Sequence, residues 1–156
     1  PTGQGINFSN AANSNSGASN STLDDYEEGS FLPRLFVGGS ELTVSNNVGR
    51  YTKIGNVVIA RGSMTRNDTS TTTGNLSIRG MPFSIDDVAY LVTQAMGHIW
   101  MDNGTNSDRI GVAYMNSSGY LYGVVDNDIR TGRYLKTQNL NNARPVYFCV
   151  TYHTAQ

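Results

Sequence analysis

The sequence predicts an all-β fold, an antiparallel β-sandwich of jelly-roll type. Three observations predict it. Among 156 residues there are nine Tyr and 17 Gly, with abundant Asn, Ser and Thr and no dominance of Leu or Ala. β-Branched and aromatic side chains fit a pleated surface, and Gly and Asn tolerate positive φ. Apolar runs of strand length recur, separated by turn pairs such as Gly38-Gly39, Gly55-Asn56, Asn103-Gly104 and Ser118-Gly119. Finally, sustained helical periodicity is missing, and no internal repeat marks a propeller or β-helix.

Residues 1–22 read as a linker or shaft-exit segment. Only Ile6 and Phe8 are large and apolar there, too little to offset the entropy of ordering the Asn-, Ser- and Gly-rich remainder. Residues 23–156 form the predicted sandwich. Asp24, Asp25, Glu27 and Glu28 cluster around Tyr26 and suggest a short helical turn stopped by Gly29. Strands are then expected near Phe31–Val37, Gly49–Ile54, Asn56–Met64, Leu76–Arg79, Ala89–Gln94, His98–Met101, Arg109–Met115, Gly119–Val125, Arg133–Lys136 and Val146–His153. Between Asp86 and Ala95 a helix competes, because Ile85, Val88 and Leu91 recur at helical spacing. Tyr90, Val92 and Thr93 are strand formers, and the strand is preferred from Ala89 onward. Asn116 to Ser118 suit a hairpin turn.

Composition excludes several classes. A formal net charge of −1 lacks the basic stripe that neutralises phosphates, so no nucleic-acid partner is expected. The single cysteine, Cys149, rules out an intrachain disulfide, and beside Phe148 it reads as a small packing residue. No apolar run reaches membrane-spanning length, so no membrane insertion is expected. The chain begins without Met and without a signal-peptide pattern, and is expected to be a piece of a longer protein.

Three stretches carry a family resemblance: Leu23-Asp24-Asp25-Tyr26-Glu27-Glu28-Gly29, Gly49-Arg50-Tyr51-Thr52-Lys53-Ile54-Gly55-Asn56 and Gly80-Met81-Pro82-Phe83. In order and rough spacing they resemble the C-terminal domain of bacteriophage tail-fibre and tailspike proteins. Gly5-Ile6-Asn7-Phe8-Ser9 is similar to a segment that often precedes the acidic motif. The resemblance spans Gly5 to Phe83; beyond it only the general strand pattern remains. The chain departs where the family commonly has Thr-Trp-Thr-Pro and this sequence has Ser30-Phe31-Leu32-Pro33, and where Met81 replaces a common Leu. The resemblance implies a homotrimer at the tip of a fibre or tailspike in the virion, a jelly-roll-like fold akin to carbohydrate-binding modules, and attachment to host-surface polysaccharide or lipopolysaccharide. The motifs themselves read as structural, with Arg50, Tyr51 and Lys53 pinning a strand or a subunit contact.

Sugar recognition needs flat aromatic faces and fixed polar groups. In Gly97-His98-Ile99-Trp100-Met101-Asp102, strand alternation places His98, Trp100 and Asp102 on one side and Ile99 and Met101 on the other. If the aliphatic pair faces the core, the only Trp faces out. The opposite parity would bury Trp100 in the core or a subunit interface. Tyr114, Tyr120 and Tyr122 share one face of the next ribbon with Ile110 and Val112, and read as core edge. Arg130, Arg133 and Tyr134 follow in a turn-rich stretch where binding groups commonly sit. The candidate ligand-binding set is therefore Trp100, His98, Asp102, Tyr120, Tyr122, Arg130, Arg133 and Tyr134.

No catalytic residue, cofactor or metal is assigned. Asp126 and Asp128 flank Asn127, but carboxylates two apart in a loop are commonly turn-forming. The run also lacks the Gly and distal Glu of a calcium loop. His98, His153 and Cys149 match no zinc spacing, and no Gly-x-Ser-x-Gly elbow or phosphate loop occurs. The expected role is host-glycan binding without enzymatic activity. Two alternatives stand beside it: a structural cap that closes a trimer, and a carbohydrate-binding module of a secreted enzyme.

Overall fold

The computed structural model describes residues 6–7, 22–23, 25–67, 72–86, 95–102, 109–124 and 143–154. They contain twelve strands and no helix. Strands β1 (Ile6–Asn7) and β2 (Thr22–Leu23) pair with each other. The other ten are β3 (Tyr26–Phe31), β4 (Arg34–Val37), β5 (Ser40–Glu41), β6 (Val44–Ile54), β7 (Val57–Arg66), β8 (Leu76–Arg79), β9 (Met96–Met101), β10 (Arg109–Met115), β11 (Leu121–Val124) and β12 (Pro145–His153). They form one antiparallel sheet in the order β3-β6-β7-β12-β9-β10-β11-β8-β4-β5. The sheet bends over itself, bringing β4 against β6 and β7. The expected sandwich thus forms from a single continuous ladder.

Alternation builds the core. In β12, Val146, Phe148, Val150 and Tyr152 are buried, while Tyr147, Cys149, Thr151 and His153 point away. β7 contributes Val58, Ala60 and Met64, β9 contributes Ile99 and Met101, and the opposite layer adds Leu35, Val37, Leu76 and Ile78. The turns follow their chemistry. Gly38 (φ 55) and Gly39 (φ 92) join β4 to β5, where a tight mirror-image turn needs positive φ at both central residues. Gly119 donates to the Asn116 carbonyl, and the Asn116 side chain accepts from the Tyr120 amide, closing the β10–β11 hairpin.

Two expectations are corrected. The acidic cluster is no helical turn: Tyr26–Phe31 is a strand. Lys53 on the paired strand binds Asp25, and the Tyr51 hydroxyl donates to Glu27, so β6 draws the acidic segment into the sheet. The expected Phe31–Val37 strand is two strands, split at Leu32-Pro33, where proline has no N–H to give the ladder. The expected strands Ala89–Gln94 and Arg133–Lys136 lie outside the described residues.

The three motifs meet, and their meeting is structural. Glycines sit opposite rings across the ladder: Gly29 faces Tyr51, Gly49 faces Phe31 and Gly62 faces Phe148. A Cβ on Gly29 would lie 2.6 Å from the Tyr51 ring, and one on Gly62 would lie 2.8 Å from that of Phe148. Each ring therefore lies over the bare backbone of its partner. Phe83 completes the cluster, edge-on to Tyr51 at 5.1 Å between centroids. The Tyr152 hydroxyl donates to the Phe83 carbonyl (3.2 Å) and accepts from its amide (3.3 Å). Burial pushes the Tyr152 phenol up to about 12, against the pull of the Phe83 hydrogen bond, so it remains a donor at neutral pH.

Candidate functional site

The register decides which side chains share the outward face of β6, β7, β12, β9, β10 and β11. Tyr147 pairs with Trp100, and Cys149 with His98. Ser63 pairs with Tyr147, and Arg61 with Cys149. Arg50 pairs with Arg61. Because Ile99 and Met101 are fully buried, His98 and Trp100 point outward. Trp100 is half-buried because Tyr147 covers one side: the rings stack at 4.9 Å with an interplanar angle of 27°. His98 beside them is exposed.

The remaining predicted site residues separate. Asp102 lies just past the end of β9, and its carboxylate is 3.8 Å from Arg144. Its amide donates to the Pro145 carbonyl, so it secures the end of β12. Tyr122 stacks on Tyr114 (5.6 Å, 21°) on the same outward face as Trp100. That corrects the core-edge reading, since their neighbour Val112 is 70% exposed. Tyr120 precedes β11 and lies over the Arg79 guanidinium. Arg130, Arg133 and Tyr134 lie outside the described residues. Cys149 faces outward, away from the core into which Phe148 packs.

The motif Arg50-Tyr51-Thr52-Lys53 divides by parity. Tyr51 and Lys53 tie β6 to β3 as expected. Arg50 makes no such tie among the described residues and is exposed on the outward face, where the subunit-contact half of the expectation stays open. With Arg61, Ser63, Val48, Tyr147 and Cys149 it lines an open groove of about 370 Å³. That volume sits at the small end of the roughly 300–1,000 Å³ typical of ligand sites. Its exposed lining is mostly apolar, with Tyr147 contributing a ring and Ser63 a hydroxyl. Sequence reasoning missed Tyr147, Arg50 and Arg61 here, because their proximity to Trp100 depends on strand order.

A second constellation lies on the outward face of the other layer. The Arg79 guanidinium is held between the Phe36 and Tyr120 rings, 3.9 Å from each centroid. Arg34 lies 5.4 Å from the Phe36 centroid and makes a two-pronged pair with Glu41, one bond being 2.7 Å. The Arg34 hydrogen bonds, with Arg79 adding to the attraction, hold the Glu41 carboxyl below its usual range. A hollow of about 230 Å³ flanks Tyr120, lined by Met81, Pro82, Phe83, Ser84 and Ser118. It is smaller than typical ligand sites. Among the described residues, no three His, Cys, Asp or Glu side chains converge as a metal site would require.

No protein-family profile and no curated protein matches the chain. Among solved structures, the chain is similar in fold to the Dettilon tailspike protein (gp208), with a TM-score of 0.59 and 21% identity. The match covers 82% of this chain and 23% of that one, so the chain spans under a quarter of the tailspike's length.

Proposed function

We propose that this chain is a host-attachment domain of a phage tail fibre or tailspike, carried in the virion, and that it binds a surface saccharide without cleaving it. The observation that carries this reading is the Trp100–Tyr147 stack on the solvent side of the sheet, with His98 exposed next to it. Aromatic faces meet the C–H side of sugar rings, and adjacent polar groups take the hydroxyls. The likeness of fold to a tailspike protein supports the setting.

The same face carries aliphatic groups at its other end: Ile59 and Met96 (76% exposed), both neighbours of Thr151. Along β9, Met96 and Trp100 are four residues apart, roughly 13 Å at strand rise. An exposed apolar patch favours burial against another copy, and a symmetric assembly also covers open strand edges. The assembly we propose is a homotrimer that buries the Ile59–Met96 end and leaves the Trp100–Tyr147 end at its rim. This gives the structural-cap role a place in the same molecule as binding.

The test is binding of the purified chain to bacterial surface polysaccharides, with sedimentation run in parallel. Trp100→Ala and Tyr147→Ala are each expected to weaken binding at least about tenfold, corresponding to roughly 1.4 kcal/mol, while the trimer persists. Unchanged binding in both variants removes this site. A stable monomer at micromolar concentration removes the assembly.

A further inference from the structure

We infer that the saccharide is acidic, and that Arg50 and Arg61 hold its carboxylate; this rests on the saccharide-binding reading above. The two arginines are direct partners across β6 and β7, and both are exposed on the outward face. Like charges directly opposite on a sheet repel and destabilise it. Among the described residues, neither has a carboxylate partner or a ring beneath it. Val48 and Ser63, the neighbouring pair, supply no counter-charge. The repulsion is relieved when an anion sits between the guanidiniums.

Position specifies the kind of anion. The arginines border two hollows. That toward β3 is lined by Glu28, whose carboxylate accepts from the Tyr26 hydroxyl and repels an anion. That toward β12 is lined by Tyr147 and Ser63, is mostly apolar and has no acidic residue. From Arg50 on β6, the row crosses Arg61 on β7 and Cys149 on β12 to His98 on β9, and the neighbouring row runs from Val48 through Ser63 and Tyr147 to Trp100. Three strand spacings make roughly 14 Å, a length suited to a short oligosaccharide rather than a single sugar. A planar guanidinium matches a carboxylate in a two-pronged geometry that an ammonium cannot reproduce. The face therefore offers a guanidinium pair in one row and, in the row beside it, the Ser63 hydroxyl, the Tyr147 ring and the Trp100 ring stacked on it. This arrangement suits a chain in which a uronic-acid-type residue is followed by neutral sugars.

The probe is an array of bacterial surface polysaccharides, some containing hexuronic acid and some neutral, together with carboxyl-reduced forms of every acidic chain that binds. Hits are expected among the acidic chains, and carboxyl reduction should weaken them about tenfold to a hundredfold. Arg50→Gln and Arg61→Gln should each reproduce that loss, in variants whose thermal unfolding matches the parent. Affinity for acidic hits should fall as salt rises. Binding of neutral chains as strong as of acidic ones, or indifference to carboxyl reduction, overturns the charge assignment and leaves saccharide binding standing. Failure to bind any polysaccharide overturns both. If the glutamine variants change the sedimentation of the assembly and not its binding, the pair faces a subunit and the inference falls.

Discussion

Two pairs of arginines face each other across neighbouring strands of this sheet, and the molecule treats them differently. Arg34 and Arg79, on β4 and β8, are compensated from within. Glu41 takes Arg34 from the next strand, and the Phe36 and Tyr120 rings enclose Arg79. One polar atom is still left over, the buried Nε of Arg79, which has no hydrogen-bond partner. Arg50 and Arg61, on β6 and β7, have neither carboxylate nor ring beneath them among the described residues, and they open onto a groove. The contrast teaches that like charge on a strand pair is not itself a binding signal. What distinguishes the second pair is that, among the described residues, no side chain pairs with it.

The largest effect is expected where the closed pair is broken at its base. Phe36→Ala removes a buried ring on which both guanidiniums rest, and should cost about 3–4 kcal/mol in chemical denaturation. Tyr147→Ala, at the open groove, should cost only about 1 kcal/mol through the lost ring stack. Equal costs would erase the distinction between a satisfied stack and an open wall.

Acid provides a smaller and more selective probe. The Glu41 carboxyl is lowered from 4.5 chiefly by its hydrogen bonds to Arg34. A lowered folded-state value means that the unfolded chain binds protons more readily, so the stabilisation is complete above 4.5 and disappears as pH falls through the folded value. Stability measured across that window should therefore fall less steeply in Glu41→Gln than in the parent. Arg50→Gln should leave the slope alone, because among the described residues no carboxylate pairs with Arg50 or Arg61.

The smallest effect is a gain. Arg61→Glu places a carboxylate opposite Arg50 and should stabilise the isolated chain by roughly 0.2–1 kcal/mol. The same change should abolish binding of acidic saccharide. A variant that is more stable and also binds as before would mean that the open pair has no ligand.

Much of the fold was legible because alternation is local. Ile99 and Met101 against His98 and Trp100 can be read from four adjacent letters, and the bounds of β8 and β10 follow from apolar runs. The acidic segment misled because its strand character comes from Lys53 and Tyr51, far along the chain. The groove was illegible for the same reason. Tyr147 meets Trp100 only once β12 lies beside β9, whereas Arg50 meets Arg61 in the register set by the Gly55-Asn56 hairpin, so what was illegible is the strand that comes to lie beside that pair. Strand alternation was evident in the letters; strand neighbours were not.

The division of Gly49–Ile54 between two sides has a consequence for how such a chain can change. Alternate letters answer to different masters: Tyr51 and Lys53 to the fold, Arg50 and Thr52 to whatever the surface meets. Substitutions at the second set can retune recognition while the first keeps the scaffold intact. A one-residue deletion within this stretch does the reverse, exchanging the two sets at a stroke. New specificities in this scaffold are therefore reached by replacing letters within the strand, and changes of length belong in its turns.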